Sequence, residues 1–77
     1  MKKVNLEGEF IKLDSFLKIC DVVSSGGIAK HLIQNGNVLV NDEIETRRGK
    51  KLRNNDIVEI AGEKFQVILN EAEKSEA

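Results

Sequence analysis

The sequence predicts an α+β fold: two helices packed on a small, mainly antiparallel twisted sheet of about four to five short strands. Three observations carry this. Apolar residues recur at helical spacing from Leu13 to Ile33, and after Gly36 they alternate instead. One strand-like run precedes the helices and several follow them, an order that segregates helices and strands into layers. The chain has 77 residues, which suits one domain with one small core.

Each element follows from local pattern. Val4 and Leu6 alternate with Lys3, Asn5 and Glu7 as a short strand that Gly8 breaks. Leu13, Phe16, Leu17 and Cys20 fall at i, i+3, i+4 and i+7 on one face of a first helix. Asp14, Ser15 and Lys18 lie opposite, where an Asp14–Lys18 pair adds about 0.2–0.5 kcal/mol. The β-branched Val22 and Val23 end this helix, and Ser24 and Ser25 offer N-caps for a second, Gly26 to Asn35. Its Ile28, Ala29, Leu32 and Ile33 share an apolar arc, while Gly27, Lys30, His31 and Gln34 share the polar one. Asn35-Gly36 is a stop signal.

Val38 to Val40 then reads as a strand, Asn41-Asp42 as a turn tolerant of positive φ, and Glu43 to Glu45 as a second strand. Asn54-Asn55 marks a turn, Ile57 to Ile60 a strand and Ala61-Gly62 a turn, with Phe65, Val67 and Leu69 alternating along a last strand. Phe10, Phe16 and Phe65 sit in apolar periods and are expected in the core, as is Cys20. Residues 1–70 are read as a single domain and the acidic 71–77 as a frayed tail.

Composition excludes several functions. Cys20 and His31 are the sole cysteine and histidine, so no disulfide framework, metal cluster or catalytic triad is expected. No nucleophile has a base at a recognisable spacing, and the reading is non-catalytic, with no cofactor and no metal. No run approaches the roughly 20 apolar residues of a membrane span. Glu7, Glu9 and Lys12 interrupt any signal-peptide core, which places the protein in the cytoplasm and away from membranes.

The net charge of −1 argues against a strong nucleic-acid binder, but the charges are segregated. Residues 46–53, TRRGKKLR, hold Arg47, Arg48, Lys50, Lys51 and Arg53 with no acid among them. Arginine forks match phosphate oxygens bidentately and lysines act as point charges. A solvated loop is the plainer reading, with Glu43 and Glu45 neutralising part of it across a hairpin. A second signal is Ser24-Ser25-Gly26-Gly27 at a helix start, where main-chain amides are free and no side chain keeps a phosphate away. Its plainer reading is a flexible cap. On the same helix Lys30 suits a phosphate, and Gln34 and His31 suit sugar or base; an exposed lone histidine otherwise has no role. Scarce aromatics argue against binding by base stacking and favour folded RNA recognised through backbone and shape.

The stretch IKLDSFLKICDVVSSGGIAKHLIQNGNVLVNDEIETRRGKKLRNNDIVEI, residues 11–60, resembles the RNA-binding domain named after the fourth small-subunit ribosomal protein, the αL motif. With its N-terminal strand the chain is similar to the small YaaA/YbcJ-type bacterial proteins. The resemblance implies a bacterial, cytoplasmic, non-catalytic protein that binds structured RNA, ribosomal RNA above all, in ribosome biogenesis or ribosome-associated quality control. It implies binding residues at Lys12, Ser25, Gly26, Gly27, Lys30, Gln34, Asn41, Arg47, Arg48, Lys50, Lys51 and Arg53, with His31 added from its place on the same helix face. Gly26 stands where many members carry a basic residue, so main-chain amides would serve there; Asp42 stands where glycine is usual. The expected arrangement joins Arg47–Arg53 to the amino end of the Gly26 helix in one cationic surface on a monomer.

Two other classes stay open. One is a protein-binding adaptor whose basic loop meets an acidic partner. The other is a ubiquitin-like β-grasp carrier, which needs a terminal Gly-Gly; here Gly26-Gly27 is internal and the sequence closes on Ser75-Glu76-Ala77.

Overall fold

A computed structural model describes residues 1–70; the stretch read as an acidic tail, 71–77, lies outside the described residues. The elements are β1 (Lys2–Glu7), β2 (Ile11–Lys12), α1 (Leu13–Ile19), α2 (Gly26–Gln34), β3 (Val38–Val40), β4 (Glu43–Ile44), β5 (Lys51–Leu52), β6 (Ile57–Ile60) and β7 (Glu63–Asn70). The main sheet has the order β1-β7-β6-β3-β4, antiparallel throughout except for the parallel β1–β7 pair. The arrangement is the α+β one expected from the sequence, with a mixed five-stranded sheet. It adds a two-stranded antiparallel ladder, β2–β5, that the sequence pattern does not announce.

The core is built from alternate residues of the strands and one stripe of each helix. Leu13, Phe16 and Leu17 of α1 and Ala29 and Ile33 of α2 are fully buried, together with Val38, Val58 and Val67 from the main sheet. Burying one such Leu, Val or Phe side chain stabilises the fold by about 1.5–3 kcal/mol. Leu52 of β5 is also fully buried, so the basic segment is anchored by an apolar residue near its carboxyl end.

Local chemistry explains the chain reversals. Helix α1 ends at Asp21, not at the valines: Asp21 adopts φ +64, its N–H donates to Lys18 O, and Val22 N–H donates to Leu17 O. These two bonds form a Schellman motif. Gly36 closes α2 in the same way, with φ +81 and bonds from Gly36 N to Ile33 O and Asn37 N to Leu32 O. Ser25 caps α2, its hydroxyl accepting from Ile28 N at 3.3 Å. Asn41-Asp42 and Ala61-Gly62 join their strands with both central residues at positive φ, as a primed two-residue hairpin turn requires.

Three core expectations are corrected. Cys20 is half-buried, and that burial pushes its thiol up to about 11 despite the nearby Lys2 ammonium. Ile28 is 46% exposed, because the stripe of α2 that meets the core narrows to Ala29 and Ile33 with Leu32 half-buried. Phe10 is 38% exposed. Its displacement follows from the β2–β5 register. Ile11 pairs with the buried Leu52, and alternation then turns residues 10 and 12 to the outer face of the ladder.

Candidate nucleic-acid interface

The basic loop is fixed by its own backbone. Leu13 N–H donates to Lys50 O at 2.8 Å, and Asp14 N–H to Arg48 O at 3.1 Å. Lys12 at the N-cap has no acceptor to offer, so the loop carbonyls take the first free amides of α1 in place of a side-chain cap. With the main chain pinned and Leu52 buried, the long cationic side chains are left on the outside.

The ladder gathers them. In the register Lys12 pairs with Lys51, so two ammonium groups project from one face. Like charges at directly opposed positions destabilise a ladder, and an anion on that face relieves the repulsion. Beside it lies an open recess of about 750 Å³ lined by Asn41, Arg47, Gly49, Lys50, Lys51, Arg53 and Asp56. Four of these seven residues are cations and one is an acid. The Asp56 carboxylate is already engaged, accepting from Arg53 N–H at 2.8 Å and from the Asn41 amide at 3.1 Å.

Two of the loop arginines are paired with acids, Arg47 with Glu45 as the plainer reading allowed and Arg48 with Asp14. Arg47 Nε lies 2.9 Å from a Glu45 carboxylate oxygen, and Arg47 N–H donates to the same oxygen at 3.1 Å. These hydrogen bonds hold the Glu45 carboxyl below the usual carboxylate range and raise the Arg47 guanidinium. Arg48 does not line the recess; its Nε stands 3.7 Å from Asp14. No Asp14–Lys18 pair forms among the described residues, since Asp14 faces Arg48 instead. Lys50, Lys51 and Arg53 have no carboxylate partner among the described residues.

Asn41 reaches the recess, but its side chain is occupied with the fold. Its Oδ1 accepts from Ile57 N–H at 2.9 Å while its amide donates to Asp56. The sequence identified Asn41 through a family position; the geometry shows it bridging the β3–β4 turn to the start of β6.

Ser25, Gly26, Gly27, Lys30, His31 and Gln34 line no part of the recess. The connection is indirect: the loop docks on the first turn of α1, and α1 packs on α2. Lys30 and Gln34 are exposed, and His31 Nε2 accepts from the Asn35 amide at 3.0 Å within its own helix. A side chain at Gly26 would meet nothing within 4 Å, and at Gly27 only Ser25 Oγ at 3.9 Å, so nothing among the described residues demands these glycines. Phe10 is the residue of this face that sequence reasoning missed. The signal was available only through the pairing of Ile11 with Leu52.

Fold and recess together define a small α+β module that presents a cationic ladder and loop on one outer face. Residues 4–68 match the family described as the S4 domain, and the chain belongs to that family. It is 48% identical over 66 residues to the probable ribosome maturation protein RlbA of Bacillus subtilis, an alignment covering 84% of this chain and 93% of that one. It is also similar to the solution structure of YbcJ from E. coli, described as revealing an αL motif involved in RNA binding. There the TM-score is 0.68 and the identity 32%, with 88% of this chain and 87% of YbcJ covered.

Proposed function

We propose that residues 1–70 act as one non-catalytic module that binds structured RNA through its phosphate backbone, with ribosomal RNA as the target and ribosome maturation as the setting. The observation that carries this reading is the recess, where Arg47, Lys50, Lys51 and Arg53 converge with the already engaged Asp56 as its one lining acid and Glu45 paired to Arg47 beside it. Such a surface favours a run of phosphates over a small molecule, which needs enclosure and apolar walls. The RNA-binding description of YbcJ and the ribosome maturation name of RlbA support it. No described helix is long and apolar enough to cross a membrane. A cytoplasmic monomer is part of the proposal.

On this reading Lys12 and the loop cations take one stretch of backbone. The amino end of α2, with Gly26 and Gly27 leaving open space, offers main-chain amides to a second. Lys30, Gln34 and His31 flank that second contact. Ultraviolet crosslinking in cells followed by sequencing of the attached RNA tests the proposal. Enrichment of ribosomal RNA, lost when the loop cations are replaced, supports it. Partners that survive ribonuclease unchanged favour the protein-adaptor reading instead.

A further inference from the structure

Phosphate binding leaves Phe10 unexplained. Phe10 stands outside the core cluster with 38% of its surface exposed. Two cations, Lys51 of β5 and Arg53 just after it, face its ring. Lys51 Nζ lies 4.7 Å from the ring centroid and Arg53 Cζ 5.6 Å. Arg53 also reaches the Glu9 main-chain carbonyl at 3.5 Å, which ties it to the turn that carries Phe10. Register explains the grouping: with Ile11 opposite Leu52 and Lys12 opposite Lys51, alternation sets residues 10, 12, 51 and 53 on one side.

We propose that Phe10 is a stacking platform for one unpaired base of the bound RNA, with Lys51 and Arg53 holding the phosphates beside it. The inference rests on the RNA-binding reading above and names the form of RNA that the site selects. An aromatic face accepts any base, and the surrounding cations match the backbone that every nucleotide carries. In a paired A-form helix the base faces are covered by their neighbours and the deep groove is too narrow for a side chain. The ring therefore meets a base only at a bulge, loop or strand end. When a base arrives, Lys51 leaves the ring for a phosphate. An exposed cation–π contact is the weaker of the two interactions, so the exchange favours the complex. A protein partner would seek apolar neighbours around Phe10, and the face offers Lys12, Lys51 and Arg53.

The test uses the full chain and two blunt-ended RNA duplexes, identical except that one carries a single bulged 2-aminopurine. The wild type binds the bulged duplex more tightly and quenches its fluorescence. Phe10→Leu weakens that binding by about 5- to 150-fold and leaves the fully paired duplex and the salt dependence unchanged. Phe10→Tyr, which keeps the ring, retains the preference, and unchanged melting of both variants shows that the fold is intact. Equal binding of the bulged duplex by Phe10→Leu and wild type, with the salt dependence intact, overturns the stacking role and leaves RNA binding standing. Failure of the wild type to bind either duplex at low salt overturns both.

Discussion

Replacing Asn41 by alanine separates a structural bridge from a ligand contact. Asn41 sits at φ +53, where alanine is strained and asparagine is tolerated. Its side chain makes two hydrogen bonds, to Ile57 N–H at 2.9 Å and to Asp56 at 3.1 Å. Both lie at the surface, so together they contribute about 1–2 kcal/mol. The backbone preference adds about 0.5–1 kcal/mol. Asn41→Ala is therefore expected to destabilise the fold by about 1.5–3 kcal/mol, a drop in Tm of about 6–24 °C for a domain of this size. Asn41→Gly loses the hydrogen bonds but keeps the left-handed backbone, and its loss should stay near 1–2 kcal/mol. Urea unfolding at constant m-value and thermal melting measure both. An Asn41→Ala variant that melts with the wild type yet binds RNA far more weakly would refute the bridge and make Asn41 a direct contact.

Further outcomes follow from the same geometry. Ala61 occupies φ +54 in the β6–β7 turn, and Ala61→Asn should raise stability by about 0.5–1 kcal/mol in urea unfolding; an unchanged midpoint excludes strain there. Glu45→Gln releases Arg47 and removes a negative charge beside the recess, so RNA affinity at low salt should rise about two- to five-fold. A fall in affinity would mean that Glu45 positions Arg47 for its phosphate. Because Arg47 lowers the Glu45 pKa in the folded state, the stabilisation is present above the unfolded-state pKa and is lost as pH falls through the folded one. The difference in urea midpoint between wild type and Glu45→Gln should thus be constant near neutrality and vanish well below the ordinary glutamate range of about 4.3.

Much of the architecture was legible because its causes are local. The stripe Leu13, Phe16 and Leu17 reads as a helix from spacing alone, and Asn41-Asp42, Asn54-Asn55 and Ala61-Gly62 announce their turns by residue type. The end of α1 was misplaced because β-branching at Val22 and Val23 drew more weight than the left-handed tolerance of Asp21. What stayed hidden depends on partners far along the chain. The β2–β5 ladder is two residues long and joins segments about forty positions apart, too short for any period to show. That ladder decides that Leu52 is buried, that Lys12 faces Lys51 and that Phe10 turns outward. The pairing of Arg48 with Asp14 is hidden for the same reason, whereas Glu45, two residues from Arg47, was within sight. Of the charge run, Arg47, Lys50, Lys51 and Arg53 line the recess and Arg48 does not. Whether α2 shares its face depends on how α1 packs between them, which no sequence spacing encodes.

The salt dependence of binding to ribosomal RNA tests the role of the cationic recess most directly. Each cation that meets a phosphate steepens the fall of log K with log salt by about 0.7–0.9. Lys50, Lys51 and Arg53 are the recess cations without a carboxylate partner among the described residues. Replacing all three by alanine should flatten the slope by about 2 to 3 and weaken binding to every RNA tried. Equal slopes for the triple variant and the wild type, with both chains folded, would place the RNA elsewhere on the molecule.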